Sequence, residues 1–198
     1  MDDQTLKGKK VAILVGDGVE QVELTEPRKA LEAAGAQTQI VSTAEGRVKG
    51  WDHTDWGHTF RVEVRLEESD PQNYDALLLP GGVMNADAIR IHAKARQFAR
   101  HFFETGKPVA AICHAPWLLI DAGVVRGRRL TSYETLKTDL VNAGADWVDE
   151  EVVVDQGLVT SRRPDDIPAF NRKMIEEFAQ GAHAGRQAAS TVTADTPS

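Results

Sequence analysis

The chain has 198 residues, 41% of them hydrophobic and 27% charged, which suits one globular domain with a sizeable core. Its net charge of −7 excludes the basic face on which general nucleic-acid and membrane-surface binders depend. No apolar run is long enough to span a bilayer, MDDQTLKGKK lacks the apolar core of a signal peptide, and a single cysteine builds no internal disulfide framework, so a cytoplasmic protein with a reduced thiol is expected.

VAILVG (11–16) is a short apolar run and predicts a buried strand. Glu20 to Ala34 predicts a helix stopped by Gly35, with Pro27 expected in its first turn. QTQIVST (37–43) is a second strand, and the alternating stretches RVKGW and TFRVEVR predict a hairpin-like excursion. YDALLL (74–79) is a third buried strand, closed by Pro80-Gly81-Gly82, and Ala86 to Glu104 predicts one long helix. PVAAI (108–112) is another strand, followed by a helix over 115–122 and a short strand at LTSY (130–133). A helix over 134–143 precedes EVVVD and LVTSR, which pair across Gln156-Gly157, and the last helix covers 164–180. Residues 1–180 thus form a single domain, and the small polar stretch 181–198 is expected to be a disordered tail.

Short apolar strands alternating with helices imply an α/β three-layer sandwich, a mostly parallel sheet with helices on both faces. Ligands bind such sheets beyond the carboxyl ends of the strands. Glu20 and Glu23, Gly81 and Gly82, and Cys113 and His114 each follow a strand directly, so three segments deliver chemically useful groups to one edge.

Cys113, in AAICHAP, lies between strand and helix, the place of an elbow nucleophile, where nearby N–H groups favour a thiolate. A buried, inert cysteine satisfies the same stretch. His114 could activate a thiol or pair with a carboxylate, although adjacent side chains at a sharp turn usually diverge. Of Glu20 and Glu23, one placed against the sulfur would form a coupled pair that retains a proton; otherwise both are solvated glutamates at a helix start. The glycines of LLLPGG let backbone N–H groups approach a reacting oxygen, or simply make a tight turn. Asp52, His53, Asp55 and His58 cluster in sequence without a recognised ligand spacing, which argues against a metal. GDGVEQ is too incomplete a glycine pattern to imply a dinucleotide.

Together the stretches KKVAILVGDGVEQVEL, YDALLLPGG, GKPVAAICHAPWLLIDAGVVRGRRLTSY, DLVNAGADWVDEEVVVD and GLVTSRRPDDIPAF resemble the ThiJ/PfpI family, most closely its PfpI-type (intracellular protease I) branch. The resemblance covers about residues 9 to 180 and implies a flavodoxin-like, class I glutamine amidotransferase-like fold. By position, Cys113 matches the elbow nucleophile and redox-sensitive thiol, Glu23 the carboxyl that hydrogen-bonds its sulfur, Glu20 a second acid, His114 the histidine after the cysteine, and Tyr133 a site tyrosine. The backbones of Gly82 and His114 match oxyanion donors. In the PfpI branch an acid from a neighbouring subunit completes the histidine. Here the nearest acid after the Gly-Gly turn is Asp87, one residue further along and Asp rather than Glu.

The resemblance further implies a homodimer, with hexamers in the protease branch, no obligate cofactor, and small carbonyl or peptide substrates. It implies one of three roles: peptide hydrolysis, conversion of glyoxals and glycated groups, or non-enzymatic service as an oxidation sensor or chaperone-like stress protein through Cys113. A glutamine amidotransferase would need a late His–Glu pair, and the last third of the chain offers only His183.

Overall fold

The computed structural model describes residues 5–183. The first strands and helix are β1 (Lys10–Leu14), β2 (Val19–Glu20) and α1 (Gln21–Ala33), followed by β3 (Gln37–Ser42), β4 (Arg47–Asp52), β5 (Asp55–Arg61) and β6 (Val64–Arg65). The middle of the chain supplies β7 (Ala76–Leu79), α2 (Val83–Arg90), α3 (Ala93–Glu104), β8 (Val109–Ile112), α4 (Pro116–Asp121) and β9 (Arg129–Leu130). Then come α5 (Lys137–Asn142), β10 (Asp146–Trp147), β11 (Val152–Asp155), β12 (Leu158–Ser161) and α6 (Ile167–Gln180).

Seven strands form the central sheet in the order β11-β12-β8-β7-β1-β3-β6, parallel throughout except for the β11 edge. Alternate residues of each strand serve opposite cores, because side chains alternate along a strand. Val11, Ile13, Leu78, Ala110 and Ile112 pack with Leu24 and Leu31 of α1 and Phe170, Met174 and Phe178 of α6. Ala12, Leu14, Leu77, Leu79, Val109 and Ala111 pack on the other face with Ile89 of α2, Phe98 and Phe102 of α3, Leu118 of α4 and Leu140 of α5. The expected three-layer α/β sandwich is therefore present, and its inner strands are apolar runs because both faces are covered. No helix among the described residues is long and apolar enough to cross a membrane.

Several local expectations give way. Pro27 lies inside α1 rather than in its first turn. Leu24, Pro27 and Leu31 are buried on one face, and that burial holds the helix together although Pro27 leaves the Glu23 carbonyl without its usual N–H partner. The single helix expected over 86–104 is two, broken where His92 takes an extended conformation (φ −77°, ψ 118°) and the Arg96 guanidinium caps the Arg90 carbonyl at 2.9 Å. The hairpin excursion is β4–β5, which joins β2 in a small separate sheet, while β9 and β10 make a second one. The last helix stays in register to Gln180, and His183 still donates its backbone N–H to the Gly106 carbonyl at 2.9 Å. Residues 184–198 of the expected tail lie outside the described residues.

Candidate active site

The direction of chain travel reverses at β1 and β7: β1 leads through α1 to β3 on one side, while β7 leads through α2 and α3 to β8 on the other. A crevice opens at the carboxyl ends of strands at such a switch point. The loops after β1, β7 and β8 deliver Glu20 and Glu23, Gly81 and Gly82, and Cys113 and His114 to it.

Cys113 leaves β8 with φ +62°, a left-handed conformation that costs a non-glycine residue roughly 1–2 kcal/mol. Two backbone hydrogen bonds brace it: its N–H donates to the Ser161 carbonyl at 3.0 Å, and its carbonyl accepts from the Tyr133 N–H at 2.9 Å. The backbone N–H groups of Gly82 and His114 point at the sulfur. The residue is only 7% exposed, so the thiol is shielded from bulk water.

Glu23 is 0% exposed and accepts the Gly81 N–H at 2.9 Å through Oε2. The carboxyl faces Cys113, and its other oxygen, Oε1, is buried without a hydrogen-bond partner. Burial pushes the Glu23 pKa up to about 8, and the nearby Glu20 charge adds to the rise. Burial and the Glu23 carboxyl push the thiol up as well. The pair therefore holds a proton near neutral pH, as two interacting acids in a dry site must. Glu20 caps the start of α1 without a side-chain cap bond, is half-buried, and is itself raised by burial.

Gly81 and Gly82 are required by space. A Cβ on Gly81 would fall 2.6 Å from Glu23 Oε2 and 2.8 Å from Cys113 Cβ. Gly82 has φ +89°, and a Cβ there would fall 2.6 Å from the Glu20 backbone nitrogen. Fully buried Asn85 holds this turn: its Oδ1 accepts from the Gly16 N–H at 2.6 Å, and its Nδ2 donates to the carbonyls of Pro80 (3.1 Å) and Gly81 (2.8 Å). One side chain thus ties the end of β1 to the turn after β7. Sequence reasoning missed Asn85; the available signal was a lone amide three residues past the double glycine, at the start of a helix.

His114 and Cys113 do not diverge: His114 Nδ1 lies 3.0 Å from Sγ, because the left-handed turn at Cys113 swings the two side chains together. The imidazole stacks on Tyr133 with centroids 4.8 Å apart, meets Trp117 edge-on, and is 6% exposed. Burial lowers its pKa to about 4, so the ring is neutral. Its Nε2 lies 3.4 Å from Thr135 Oγ1. Asp87 is not brought to His114 within one chain; it lies on the exposed side of α2, where its charge bears on Arg90. The Asp52, His53, Asp55 and His58 stretch is the exposed end of the β4–β5 hairpin, and no group of three or more His, Cys, Asp or Glu among the described residues could hold a metal.

Residues 9–177 match the family model described as the DJ-1/PfpI family. The chain belongs to the DJ-1/PfpI family. Among its relatives in this family, a deglycase of Pyrococcus abyssi is 45% identical over 167 residues, 84% of this chain and 98% of the relative. A putative cysteine protease of Bacillus subtilis is 41% identical over 167 residues, 84% of this chain and 96% of that one. Among solved structures, DJ-1beta of Drosophila melanogaster superposes with a TM-score of 0.79 at 29% identity, covering 86% of this chain and 90% of that one. A two-domain protein of Anabaena variabilis with dj-1/thij/pfpi-like and ferritin-like domains matches with a TM-score of 0.79 at 34% identity over 85% of this chain, which spans 47% of that longer one. Relatives named for two reactions share this DJ-1/PfpI fold, so the reaction must be argued from the site itself.

Proposed function

We propose that this chain is a Cys113-dependent enzyme that converts glyoxals and removes the early groups they add to amines and thiols. One arrangement carries the proposal: a fully buried Glu23 carboxyl, its pKa pushed up to about 8 by burial, beside the only cysteine. A protonated carboxyl in a dry site can donate a proton to a forming alkoxide and later take one from carbon, which is the task of a shuttle.

In this scheme Cys113 Sγ adds to the aldehyde carbon, and the thiol proton passes to His114 Nδ1 as the S–C bond forms. The carbonyl oxygen, held by the Gly82 and His114 N–H groups, takes the Glu23 proton. The Glu23 carboxylate then removes the proton from that carbon and delivers it to the neighbouring carbonyl carbon, while the hydroxyl proton passes to the neighbouring oxygen, turning the hemithioacetal into a 2-hydroxyacyl thioester. Water cleaves the thioester to the hydroxy acid, giving a proton to the Glu23 carboxylate, and His114 returns its proton to the departing sulfur. Oxidation at one carbon balances reduction at the other, so no external oxidant or cofactor enters. The relatives named deglycase support this chemistry.

The 3.0 Å approach of His114 Nδ1 to the sulfur favours a second reading, peptide acyl transfer, which the relative named as a putative cysteine protease supports. It needs an acid to orient the imidazole, and in a homodimer or hexamer Asp87 of the partner subunit would supply it. Methylglyoxal consumption and cleavage of a fluorogenic peptide, measured with the native chain and with Cys113→Ala, test the proposal. Methylglyoxal turnover lost in Cys113→Ala supports it; turnover that survives the substitution, or peptide cleavage with methylglyoxal untouched, overturns it.

A further inference from the structure

Ser132 and Trp147 lie outside the set that meets the sulfur, yet they are joined to it. Ser132 is fully buried. Trp147, in β10, pairs across the small sheet with Leu130 of β9, two residues before Ser132. Trp147 Nε1 lies 3.0 Å from Ser132 Oγ, and Ser132 Oγ lies 2.9 Å from the Tyr133 carbonyl.

The chemistry of the groups gives this chain one direction. An indole N–H is a donor only, so Ser132 Oγ must accept from it. The serine hydrogen is then left for the Tyr133 carbonyl, which accepts only. Tyr133 in turn donates its N–H to the Cys113 carbonyl at 2.9 Å, the bond that braces the left-handed nucleophile, and its ring stacks on His114 at 4.8 Å. Both backbone groups of Tyr133 are thereby tied: the carbonyl accepts from Ser132, and from the Leu136 N–H at 3.0 Å, while the N–H donates to Cys113.

We infer that Trp147 and Ser132 are positioning residues, a two-member bracket that fixes Tyr133 and through it the mutual placement of Cys113 and His114. Neither touches the sulfur. Their effect reaches the reaction through the backbone of Tyr133 and through the face that its ring offers to the imidazole. A bracket of this kind suits a site on a short turn, where the nucleophile's conformation is not enforced by a strand or a long helix.

The inference rests on the proposed Cys113 chemistry only for its turnover arm, so thiol reactivity is measured beside turnover. Trp147→Phe keeps an aromatic ring and removes the N–H; Ser132→Ala removes the relay hydroxyl. The rate of Cys113 alkylation by iodoacetamide, followed by intact mass, reads sulfur placement with no natural substrate. Each variant is expected to change that rate about five-fold, the size of one neutral hydrogen bond, and the double variant to behave like either single one. Where methylglyoxal is turned over, kcat is expected to fall by a similar factor with KM unchanged. Native alkylation rates in either folded variant overturn the inference, as do effects that multiply in the double variant. If one variant does not fold, the other decides by its rate alone. Absent methylglyoxal turnover with altered alkylation would remove the proposed function and leave the bracket standing.

Discussion

The Glu23 carboxyl accepts the Gly81 N–H at 2.9 Å while lying wholly out of water, and the neighbouring turn offers the Gly82 N–H to the Cys113 sulfur. One turn therefore holds the acid and the nucleophile together. Glu23→Gln keeps the shape and the hydrogen bond from Gly81 but cannot carry a proton. It is expected to lower kcat for methylglyoxal by about 10²–10⁴-fold, the usual range for general acid–base catalysis, with a much smaller effect on KM. Steady-state kinetics check this, and a kcat within a few-fold of native would remove Glu23 from proton transfer.

The same carboxyl makes stability depend on pH. Its pKa is raised in the fold from 4.5 to about 8, so between those values the native chain holds a proton that the unfolded chain has lost. That contribution is fully present below about pH 4.5 and is lost as pH rises through about 8. Glu23→Gln removes the dependence. The melting temperature of the variant relative to native should therefore climb steadily from pH 4.5 to 8.5 in a calorimetric series. A constant gap would mean that Glu23 is ionised in the fold.

Much of this architecture was legible because buried parallel strands must be apolar on both faces, so β1, β7 and β8 stand out as VAIL, ALLL and VAAI. The punctuation after them was legible too, which is how Glu23, Gly82, Cys113 and His114 came to be read as neighbours. What escaped depends on backbone turns or distant partners. The break between α2 and α3 carries no Gly or Pro; a cross-helix guanidinium from Arg96 stabilises it instead. The approach of His114 to Cys113 follows from a left-handed residue that no local pattern announces. Asn85, just ahead of the helix expected from Ala86, reads as an ordinary loop amide until β1 is laid against it in three dimensions.

Gly82 combines a φ of +89° with a backbone nitrogen 2.6 Å from where a Cβ would lie. Gly82→Ala cannot relieve the contact by moving a side chain, because the Glu20 nitrogen belongs to the chain that starts α1. The turn must shift, and the N–H aimed at the sulfur shifts with it. The expected result is a loss of about 1–3 kcal/mol in stability together with a fall in kcat of at least 10-fold at a temperature where the variant is fully folded. Denaturant melts and single-turnover kinetics on the same preparation separate the two effects; unchanged kcat in a folded variant would free this N–H of any catalytic part.

Asn85 uses both ends of its amide, accepting from Gly16 and donating to Pro80 and Gly81. Asn85→Ala orphans a buried N–H and leaves two carbonyls short of a donor, at an expected cost of about 2–4 kcal/mol. Asn85→Asp is the sharper test. An ionised carboxylate keeps the bond from the Gly16 N–H but faces two carbonyl oxygens with no hydrogen to offer. It should be at least as destabilising as Asn85→Ala at pH 8, and should recover stability as pH falls and the acid regains a proton. Urea denaturation across that range measures it, and a pH-independent Asn85→Asp would mean that the amide donors contribute little.

His114 is neutral because it is buried against Tyr133 and Trp117, and its pKa falls from 6.5 to about 4. A depressed histidine contributes stability that is fully present above about pH 6.5 and is lost as pH falls through about 4. Two measurements follow from that sign. In a proton NMR titration, the ring resonance missing from His114→Gln should stay flat from pH 8 to 5.5 and move only near pH 4. In kinetics, kcat should show no acid limb between pH 6 and 7, because the imidazole is already in its proton-accepting form. A midpoint near 6.5 would mean that the ring meets bulk water, and the stacking that holds it against the sulfur could not then be the ground state.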